Sequence, residues 1–302
     1  MLSIIICTYN REKYIYGVLQ SLAQNNFPTH LYEIVLVNNN STDTTEEKCK
    51  AFQQDYPQVA FRYFIETNQG LSFARNRGIM EAQGDMLVFL DDDSFVNQDY
   101  LTNLDHYIKE YPDMIAFGGA ITPLFETGVT PAWLSKWTYS WVSAINLGNS
   151  VTLFTGNTYP IGANMGFKTA YFEKYGSFNT SLGRSKKNMM GGEEKDLFNR
   201  CDRKTEKIYY LPNLKVQHVI PENRTTKAYI KRLGEGIGMS EKLRTLNISK
   251  GCYLKRIFSE MIKWVASFVL FFGYLITFEP QKGTVLLLFR RNVTKGLLRI
   301  KN

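Results

Sequence analysis

Short apolar segments alternate with amphipathic stretches through roughly the first 95 residues. The apolar segments are nearly continuous and rich in β-branched and aromatic residues, as in buried parallel strands. They predict strands at residues 2–8, 33–37, 60–65 and 86–90. The stretches between them predict helices at residues 13–23, 42–52 and 71–82. This β-α-β-α-β-α-β series predicts an α/β fold, an open and mostly parallel sheet with helices on both faces.

Polar side chains cluster where three of the predicted strands end. The clusters are Thr8-Tyr9-Asn10, Asn38-Asn39-Asn40 and Asp91-Asp92-Asp93. In open α/β sheets, ligands bind outside the carboxyl ends of the strands. The sequence therefore predicts a ligand site at this edge of the sheet.

The triplet Asp91-Asp92-Asp93 carries the strongest chemical pattern. Three adjacent carboxylates are commonly neutralised by a hard divalent cation such as Mg²⁺ or Mn²⁺. A cation held by one or two carboxylates keeps open positions for the oxygens of a diphosphate. The triplet alone is equally compatible with an acidic, solvated turn that begins a helix.

Composition favours a packed, intracellular protein. The chain has 302 residues, of which 44% are apolar, enough for a hydrophobic core. The four cysteines form no CxxC pair, so neither a zinc site nor a disulfide framework is indicated. The first residues lack a basic region followed by a long apolar one, so we expect no secretory signal.

The excess of positive over negative charge is concentrated in residues 251–302. The net charge is +8, from 36 Lys and Arg against 28 Asp and Glu. Residues 251–302 hold nine bases and two acids, a net +7, so residues 1–250 carry only +1. Because the net charge of residues 1–250 is close to zero, we expect no nucleic acid partner.

The same last fifty residues are apolar as well as basic. Residues 264–278 form an uncharged run of 15 residues, shorter than the roughly 20 of a spanning helix. Residues 284–300 place five apolar side chains on one helical face: Val285, Phe289, Val293, Leu297 and Ile300. This pattern is typical of an interfacial helix on anionic lipid. We predict a helical tail, residues 251–302, that binds the cytoplasmic side of the cell membrane as a peripheral or monotopic protein; two ordinary core helices are the alternative.

Three tryptophans in the middle of the chain have helical spacing. Trp133, Trp137 and Trp141 would lie on one face of a helix. We expect either a core stripe or a surface that stacks on sugars or on the membrane interface.

Four segments resemble glycosyltransferase family 2. They are residues 3–11 (SIIICTYNR), 37–43 (VNNNSTD), 68–78 (NQGLSFARNRG) and the triplet 91–93. The resemblance implies a GT-A fold, in which a Rossmann-like sheet binds a nucleotide sugar. It implies that one set of residues binds the nucleotide sugar: Thr8, Tyr9, Asn10, Arg11, Asn38, Asn40, Arg75, Asp91 and Asp92. Asn38 departs from the usual Asp, and because its amide can donate as well as accept, the nucleobase stays open.

Two later segments continue the resemblance. Residues 160–167 (PIGANMGF) are similar to the segment under the donor sugar, and residues 191–197 (GGEEKDL) to the catalytic motif. The resemblance implies that Glu194 is the general base, with Glu193 beside it at the acceptor. Acids that merely favour the first turn of a helix are the alternative. The resemblance places His218 where several relatives have a third metal ligand after Asp91 and Asp93, which favours Mn²⁺ over Mg²⁺; a purely structural histidine is the alternative.

The resemblance also implies the reaction and the division of the chain. The expected reaction is an inverting transfer from a nucleotide sugar, UDP-linked by expectation, to a glycan or lipid-linked acceptor. A non-catalytic nucleotide-sugar-binding or scaffold protein is the alternative. The expected domains are a GT-A domain at 1–250, with a nucleotide-binding half (1–118) and an acceptor half (119–250), and the tail at 251–302.

Overall fold

The computed structural model describes residues 1–156, 158–183 and 191–299, which divide into two compact units. Unit 1 comprises Met1–Pro123, Ser143–Ser181 and Glu193–Val219. Unit 2 comprises Leu124–Val142, Leu182–Gly192 and Ile220–Asn302. Residue 118, one predicted boundary, lies inside a strand, and residue 250, the other, lies inside unit 2; the predicted division into domains stays a prediction.

Unit 1 is built on a mixed sheet. Its strands are β1 (Leu2–Thr8), β2 (Tyr32–Asn38), β3 (Ala60–Ile65), β4 (Met86–Asp91), β5 (Ser94–Val96), β6 (Met114–Phe125), β7 (Thr152–Leu153), β8 (Asn164–Lys168) and β9 (Lys207–Ile220). Its helices are α1 (Ile15–Ala23), α2 (Thr45–Asp55), α3 (Leu71–Glu81), α4 (Tyr100–Glu110), α5 (Thr169–Tyr175) and α6 (Glu193–Arg200). The predicted strands and helices of the first 95 residues are confirmed to within three residues at each end.

The sheet runs in the order β3-β2-β1-β4-β8-β6-β9-β5, and β7 pairs with β9. Strands β1 to β4 form the parallel half, with β1 paired to both β2 and β4. The other half is antiparallel where β8 pairs with β4 and β6, and where β5 pairs with β9. The prediction of a mixed sheet with helices is therefore confirmed, but the sheet is less parallel than predicted, since three of these strand pairings are parallel and four, including β7 with β9, are antiparallel.

Helices cover both faces of the sheet because side chains alternate along each strand. Ile4 and Ile6 of β1 lie in one apolar core with residues of α1, α2 and α4. Ile5 lies in a second core with residues of α3, α5 and α6. All three isoleucines are fully buried, which explains the continuous apolar run in the sequence. This double packing holds the carboxyl ends of β1, β2 and β4 at one edge.

The expected tryptophan helix is absent. Residues 131–142 form turns and a short 3₁₀ segment, Tyr139–Val142. Thr138 Oγ1 accepts from Ser135 N–H and donates to Ser135 O, a local pattern that competes with helical hydrogen bonding. Trp141 is buried against Phe289 with the ring centroids 4.1 Å apart, whereas Trp137 is exposed. The prediction of one helical face is therefore wrong.

Unit 2 is built on three helices: α7 (Lys227–Ile248), α8 (Lys250–Ile276) and α9 (Pro280–Leu298). The apolar face of α9, with Val285, Phe289, Val293 and Leu297, is buried in a core that includes Ile230 of α7. The prediction that this face contacts lipid is wrong, because α7 covers it and the core-helix alternative holds for α9. Ile300, the fifth residue of the predicted face, lies outside the described residues.

Helix α8 differs from α9 in that its apolar side chains point outward. Ten large hydrophobic side chains of α8 are exposed: Leu254, Phe258, Met261, Ile262, Val265, Phe268, Val269, Phe272, Leu275 and Ile276. Among the described residues, α8 is the one helix whose length and composition suit a membrane span. At 27 residues it is longer than the apolar run in the sequence suggested.

Close helix packing in unit 2 requires glycine at position 296. A Cβ on Gly296 of α9 would overlap Glu235 O of α7 and lie 2.9 Å from Met239 N. Alanine normally stabilises a helix by about 1 kcal/mol relative to glycine. Here we expect the overlap to dominate, so Gly296→Ala lowers the free energy of unfolding by about 1–3 kcal/mol.

A matched glycine provides the control for this prediction. Gly273 of α8 has open space around the same built Cβ. In thermal unfolding of the full chain in mild detergent, Gly273→Ala should leave the melting temperature unchanged or raised. Equal melting temperatures for Gly296→Ala and Gly273→Ala would contradict the packing of α7 on α9.

Candidate active site

The acidic triplet lies at the predicted edge of the sheet. Asp91 ends β4, and Asp93 directly precedes β5. Asp91 is about one-third exposed, whereas Asp93 is almost fully buried. The alternative of a solvated acidic turn that begins a helix does not fit, because a second strand follows and not a helix.

Strand pairing brings His218 to the triplet. Ser94 of β5 is the register partner of His218 in β9, and Val219 N–H donates to Asp93 O at 2.9 Å. As a result His218 Nε2 lies 3.0 Å from Asp93 Oδ1 and 3.9 Å from Asp91 Oδ2. The two carboxylates and the imidazole each offer an atom within 4.8 Å of the others.

These three side chains fit a divalent metal ion. Two carboxylate oxygens and one imidazole nitrogen form a donor set that suits Mn²⁺ better than Mg²⁺, since Mg²⁺ prefers oxygen alone. The exposure of Asp91 leaves one side of the group open to a ligand. Asp91, Asp93 and His218, predicted as the metal ligands, are thus brought together.

Arg11 contacts the other members of the triplet. Its Nε donates to Asp92 Oδ1 at 3.0 Å, and its Nη2 lies 3.2 Å from Asp93 Oδ2. Burial raises the pKa of Asp92 to about 6, while the Arg11 guanidinium opposes this effect. Arg11 and Asp92 were both predicted to bind the nucleotide sugar, and the structure also makes them partners of each other.

Hydrogen bonds join the loops that follow β1 and β2. Asn10 N–H donates to Ser41 Oγ at 2.9 Å, and Thr42 N–H donates to Asn10 Oδ1 at 2.8 Å. Asn10 and Asn40 both have positive φ, 53° and 61°, a conformation that asparagine tolerates better than most residues. Both residues are exposed at the predicted nucleotide edge, although the Asn10 amide is bonded to Thr42 through its oxygen and its nitrogen.

Thr8, Tyr9 and Asn38 lie deeper in the same region. The Thr8 carbonyl accepts from Asn39 N–H at 2.8 Å, and Tyr9 N–H donates to Asp92 Oδ2 at 3.4 Å. Asn38 is buried; its Nδ2 donates to Tyr63 Oη at 2.7 Å and its Oδ1 accepts from Ser41 N–H. The sequence did not indicate Tyr63, whose hydroxyl fixes which way the Asn38 amide points.

Arg75 connects the triplet to the second acidic motif. From α3, its Nη1 lies 3.1 Å from both Glu193 Oε1 and Glu194 Oε1, and its Nη2 lies 3.7 Å from Asp91 Oδ1. Burial disfavours the charged guanidinium, but the carboxylates of Glu194, Glu193 and Asp91 outweigh this effect and raise its pKa. Segments far apart in the sequence therefore meet at one side chain.

Glu193 and Glu194 begin α6, where carboxylates interact favourably with the helix dipole. Glu193 is buried, whereas the side chain of Glu194 is 17% exposed. Of the two carboxylates, that of Glu194 is the more accessible to a ligand. A position in the first turn of α6 does not exclude a role in catalysis, because both carboxylates of this turn also contact Arg75.

Gly162 is a member of this site that the sequence placed only within a longer segment. A Cβ at this position would overlap Arg75 Nη2 and lie 2.5 Å from Glu194 Oε1. The sequence shows a glycine at position 162, but only the fold shows that Arg75 and Glu194 lie beside it.

The sequence profile described as Glycosyl transferase family 2 matches residues 3–176, more than half of the chain. Glucosyl-dolichyl phosphate glucuronosyltransferase of Haloferax volcanii is 26% identical over 265 residues, covering 84% of this chain and 82% of that protein. The chain belongs to glycosyltransferase family 2 and is a glycosyltransferase.

Two solved structures show the same fold. Mannosyltransferase PcManGT from Pyrobaculum calidifontis, in complex with GDP-Man and Mn²⁺, has a TM-score of 0.64 at 15% identity, covering 98% of this chain and 87% of that chain. S. aureus TarS 1–349 in complex with UDP-GlcNAc has a TM-score of 0.54 at 16% identity, covering 97% and 90%. At these identities the likeness establishes the GT-A fold.

Proposed function

We propose that the protein transfers a sugar, with inversion at the anomeric carbon, from a nucleoside diphosphate sugar to a lipid-linked or glycan acceptor. The observation that carries this proposal is the position of Arg75, whose guanidinium contacts both Glu194 and Asp91. The proposed proton acceptor, Glu194, and the proposed metal ligand, Asp91, thus contact the same guanidinium. One bound nucleotide sugar would extend from the metal ligands to Glu194.

The proposed step needs a base on the acceptor side. An acceptor hydroxyl oxygen attacks the anomeric carbon from the face opposite the diphosphate. The new C–O bond forms while the bond from the anomeric carbon to the phosphate oxygen breaks, and that electron pair leaves with the nucleoside diphosphate. Glu194 takes the hydroxyl proton, and Glu193 is a second carboxylate that pairs with Arg75. When bound, Mn²⁺ or Mg²⁺ neutralises charge on the diphosphate, and Asp91, Asp93 and His218 would hold it.

We propose UDP as the nucleotide carrier, with GDP as the competitor. The two structural neighbours were solved with GDP-Man and UDP-GlcNAc, so likeness of fold does not choose between the bases. The buried Asn38 amide uses one donor and one acceptor inside the protein. Base contacts are therefore expected mainly from the exposed loop residue Asn40, because the Asn10 amide also uses one donor and one acceptor inside the protein, both on Thr42.

The proposed acceptor is attached to a lipid at the cytoplasmic face of a membrane. The Haloferax volcanii relative is named for a dolichyl phosphate substrate. The exposed face of α8 supplies the matching surface, since Trp264 to Ile276 carries no charged residue. The bilayer is the proposed occupant of this face.

Contacts within unit 2 favour α8 lying along the membrane surface. Arg290 Nη1 of α9 lies 3.0 Å from the buried carboxylate of Glu260 in α8, and Trp264 Nε1 donates to Thr294 Oγ1 at 2.9 Å. These bonds hold α8 along α9, which carries Arg290 and Arg291 in its middle. Charges at that position are unfavourable in a spanning helix pair.

We expect the double change Val265→Asp and Phe272→Asp to release the protein from membranes. Both residues are more than half exposed and lie seven positions apart on the same side of α8. The carboxylates would face lipid, so binding to vesicles containing anionic lipid should fall by at least tenfold in a flotation assay.

Met80→Asp is the matched control, since Met80 of α3 is even more exposed and lies in unit 1. Its vesicle binding should remain within about twofold of the original chain. Equal binding by the double variant, with its fold intact, would remove α8 as the membrane contact.

The experiment that tests the proposed reaction is a donor screen. The purified full chain, in mild detergent with Mn²⁺ and lipid-linked acceptors, is offered UDP- and GDP-sugars, and release of the nucleoside diphosphate is measured. One donor should be turned over and the others not. Failure of every donor to bind or turn over, with the protein folded, would overturn the proposal.

A further inference from the structure

The proposed base is not free in this structure. Arg75 is almost fully buried, and its Nη1 divides its hydrogen bonds between Glu194 and Glu193 at 3.1 Å each. The guanidinium also lies over the Phe178 ring, with Cζ 5.3 Å from the centroid. A carboxylate oxygen that accepts from a buried guanidinium has less capacity to accept a proton from an incoming hydroxyl.

The contact has little room to relax. Gly162 lies against both partners, and a Cβ there would overlap Arg75 Nη2 and approach Glu194 Oε1 to 2.5 Å. Phe178 packs on one side of the guanidinium and the backbone of Gly162 on another. Arg75 therefore has few alternative positions unless a new partner draws it away.

A diphosphate is such a partner. Guanidinium groups bind phosphate oxygens in a bidentate manner and strongly. The second nitrogen of Arg75, Nη2, already faces the triplet, 3.7 Å from Asp91 Oδ1. This contact is longer than those to the two glutamates, so Nη2 is the less committed end of the guanidinium.

We propose that Arg75 couples donor binding to the base: it pairs with Glu194 when the donor is absent and transfers to the donor diphosphate when the donor binds. The inference rests on the proposed function and adds an order of binding to it. The donor must bind first, because Glu194 becomes available to the acceptor hydroxyl only after Arg75 has moved. Arg75 is in this account a positioning residue for Glu194 as well as a donor ligand.

A double-mutant cycle on nucleotide affinity tests the coupling. If Glu194 competes with the diphosphate for Arg75, Glu194→Gln should tighten binding of UDP or GDP with Mn²⁺ by about three- to tenfold. Loss of a negative charge near the site could do the same without Arg75. The tightening must therefore disappear when it is measured in the Arg75→Gln background.

Glu173→Gln in α5 is the matched control, since it removes an exposed carboxylate of unit 1 outside the site. It should leave nucleotide affinity unchanged. Tightening that persists in the Arg75→Gln background, or no tightening in Glu194→Gln, would overturn the coupling.

A direct measurement covers the case in which Arg75→Gln fails to fold. Crystal structures of the unaltered chain with and without UDP or GDP and Mn²⁺ give the distance from Arg75 Nη1 to Glu194 Oε1. We expect 3.1 Å without nucleotide and more than about 4 Å with it, as Arg75 takes up a phosphate oxygen. An unchanged ion pair beside a bound nucleotide would overturn this inference alone. Failure of both nucleotides to bind would overturn the proposed function and this inference together.

Discussion

Glu194→Gln is expected to lower turnover by a factor of about 10² to 10⁴ without loss of donor affinity. Gln keeps the length and the hydrogen-bonding reach of the side chain but cannot take a proton at neutral pH. Glu194 is the more exposed of the two acids that begin α6, and Arg75 holds its carboxylate beside the donor side of the site. Single-turnover rates and nucleotide affinity, measured on the same preparation, separate the two effects.

Other results for Glu194→Gln would assign different roles to Glu194 and to the neighbouring acids Glu193 and Asp196. A collapse of donor affinity in Glu194→Gln would make this residue a donor ligand. Unchanged turnover would transfer the role of base to Glu193 or Asp196. Asp196 is the weaker candidate, because its carboxylate pairs with Arg200 one turn along the same helix at 3.4 Å.

Asp93→Ala is expected to reduce Mn²⁺ affinity by at least about 100-fold and to abolish metal-dependent nucleotide binding. Asp93 is the buried carboxylate between His218 Nε2 and the Arg11 guanidinium, so no neighbouring oxygen can replace it at the same position. Asp91→Ala should weaken binding less completely, because Asp91 is about one-third exposed and water can take its place. Free Mn²⁺ measured by electron paramagnetic resonance reports affinity without reference to activity.

Asp85→Ala is the matched control for the metal site. Asp85 directly precedes the same strand, β4, and its side chain is almost fully exposed. It should bind Mn²⁺ like the original chain and melt at a similar temperature. Full Mn²⁺ affinity in a folded Asp93→Ala variant would remove Asp93 from the metal site.

The strands and helices of the first 95 residues were predictable because local patterns and tertiary structure agree there. Strands such as Leu2–Thr8 are apolar on both faces, and polar residues begin where each strand ends. Because these ends lie at the same edge of a parallel sheet, Asn10, Asn40 and Asp91 could be placed together without knowing any long-range pairing. The resemblance to the family added Arg75, Glu194 and His218.

The remaining geometry depends on contacts between residues far apart in the chain. His218 lies 124 positions after Ser94 in the chain, and only the register of β5 on β9 brings it to Asp93. Gly162 matters only because Arg75 and Glu194 meet against it. Residue spacing alone contains no information about such pairs, so the links between the motifs had to come from the structure.

The last fifty residues show a different limit. An apolar helical face is compatible with lipid or with another helix, and the sequence pattern is the same for both. The predicted face of α9 is buried by α7, and the exposed apolar face belongs to α8. Part of the basic charge is also neutralised inside unit 2, where Arg256 and Arg290 form ion pairs with the buried Glu260.

The central claim, that a sugar is transferred by direct displacement with Glu194 as base, is tested most directly by the configuration of the product. A donor that the screen identifies and that is α-linked to its diphosphate is converted with Mn²⁺ and acceptor, and the one-bond C1–H1 coupling of the product is read by NMR. The account predicts a β-linked product, formed by the original chain and lost in Glu194→Gln. An α-linked product, or a β-linked product formed equally fast by Glu194→Gln, would contradict it.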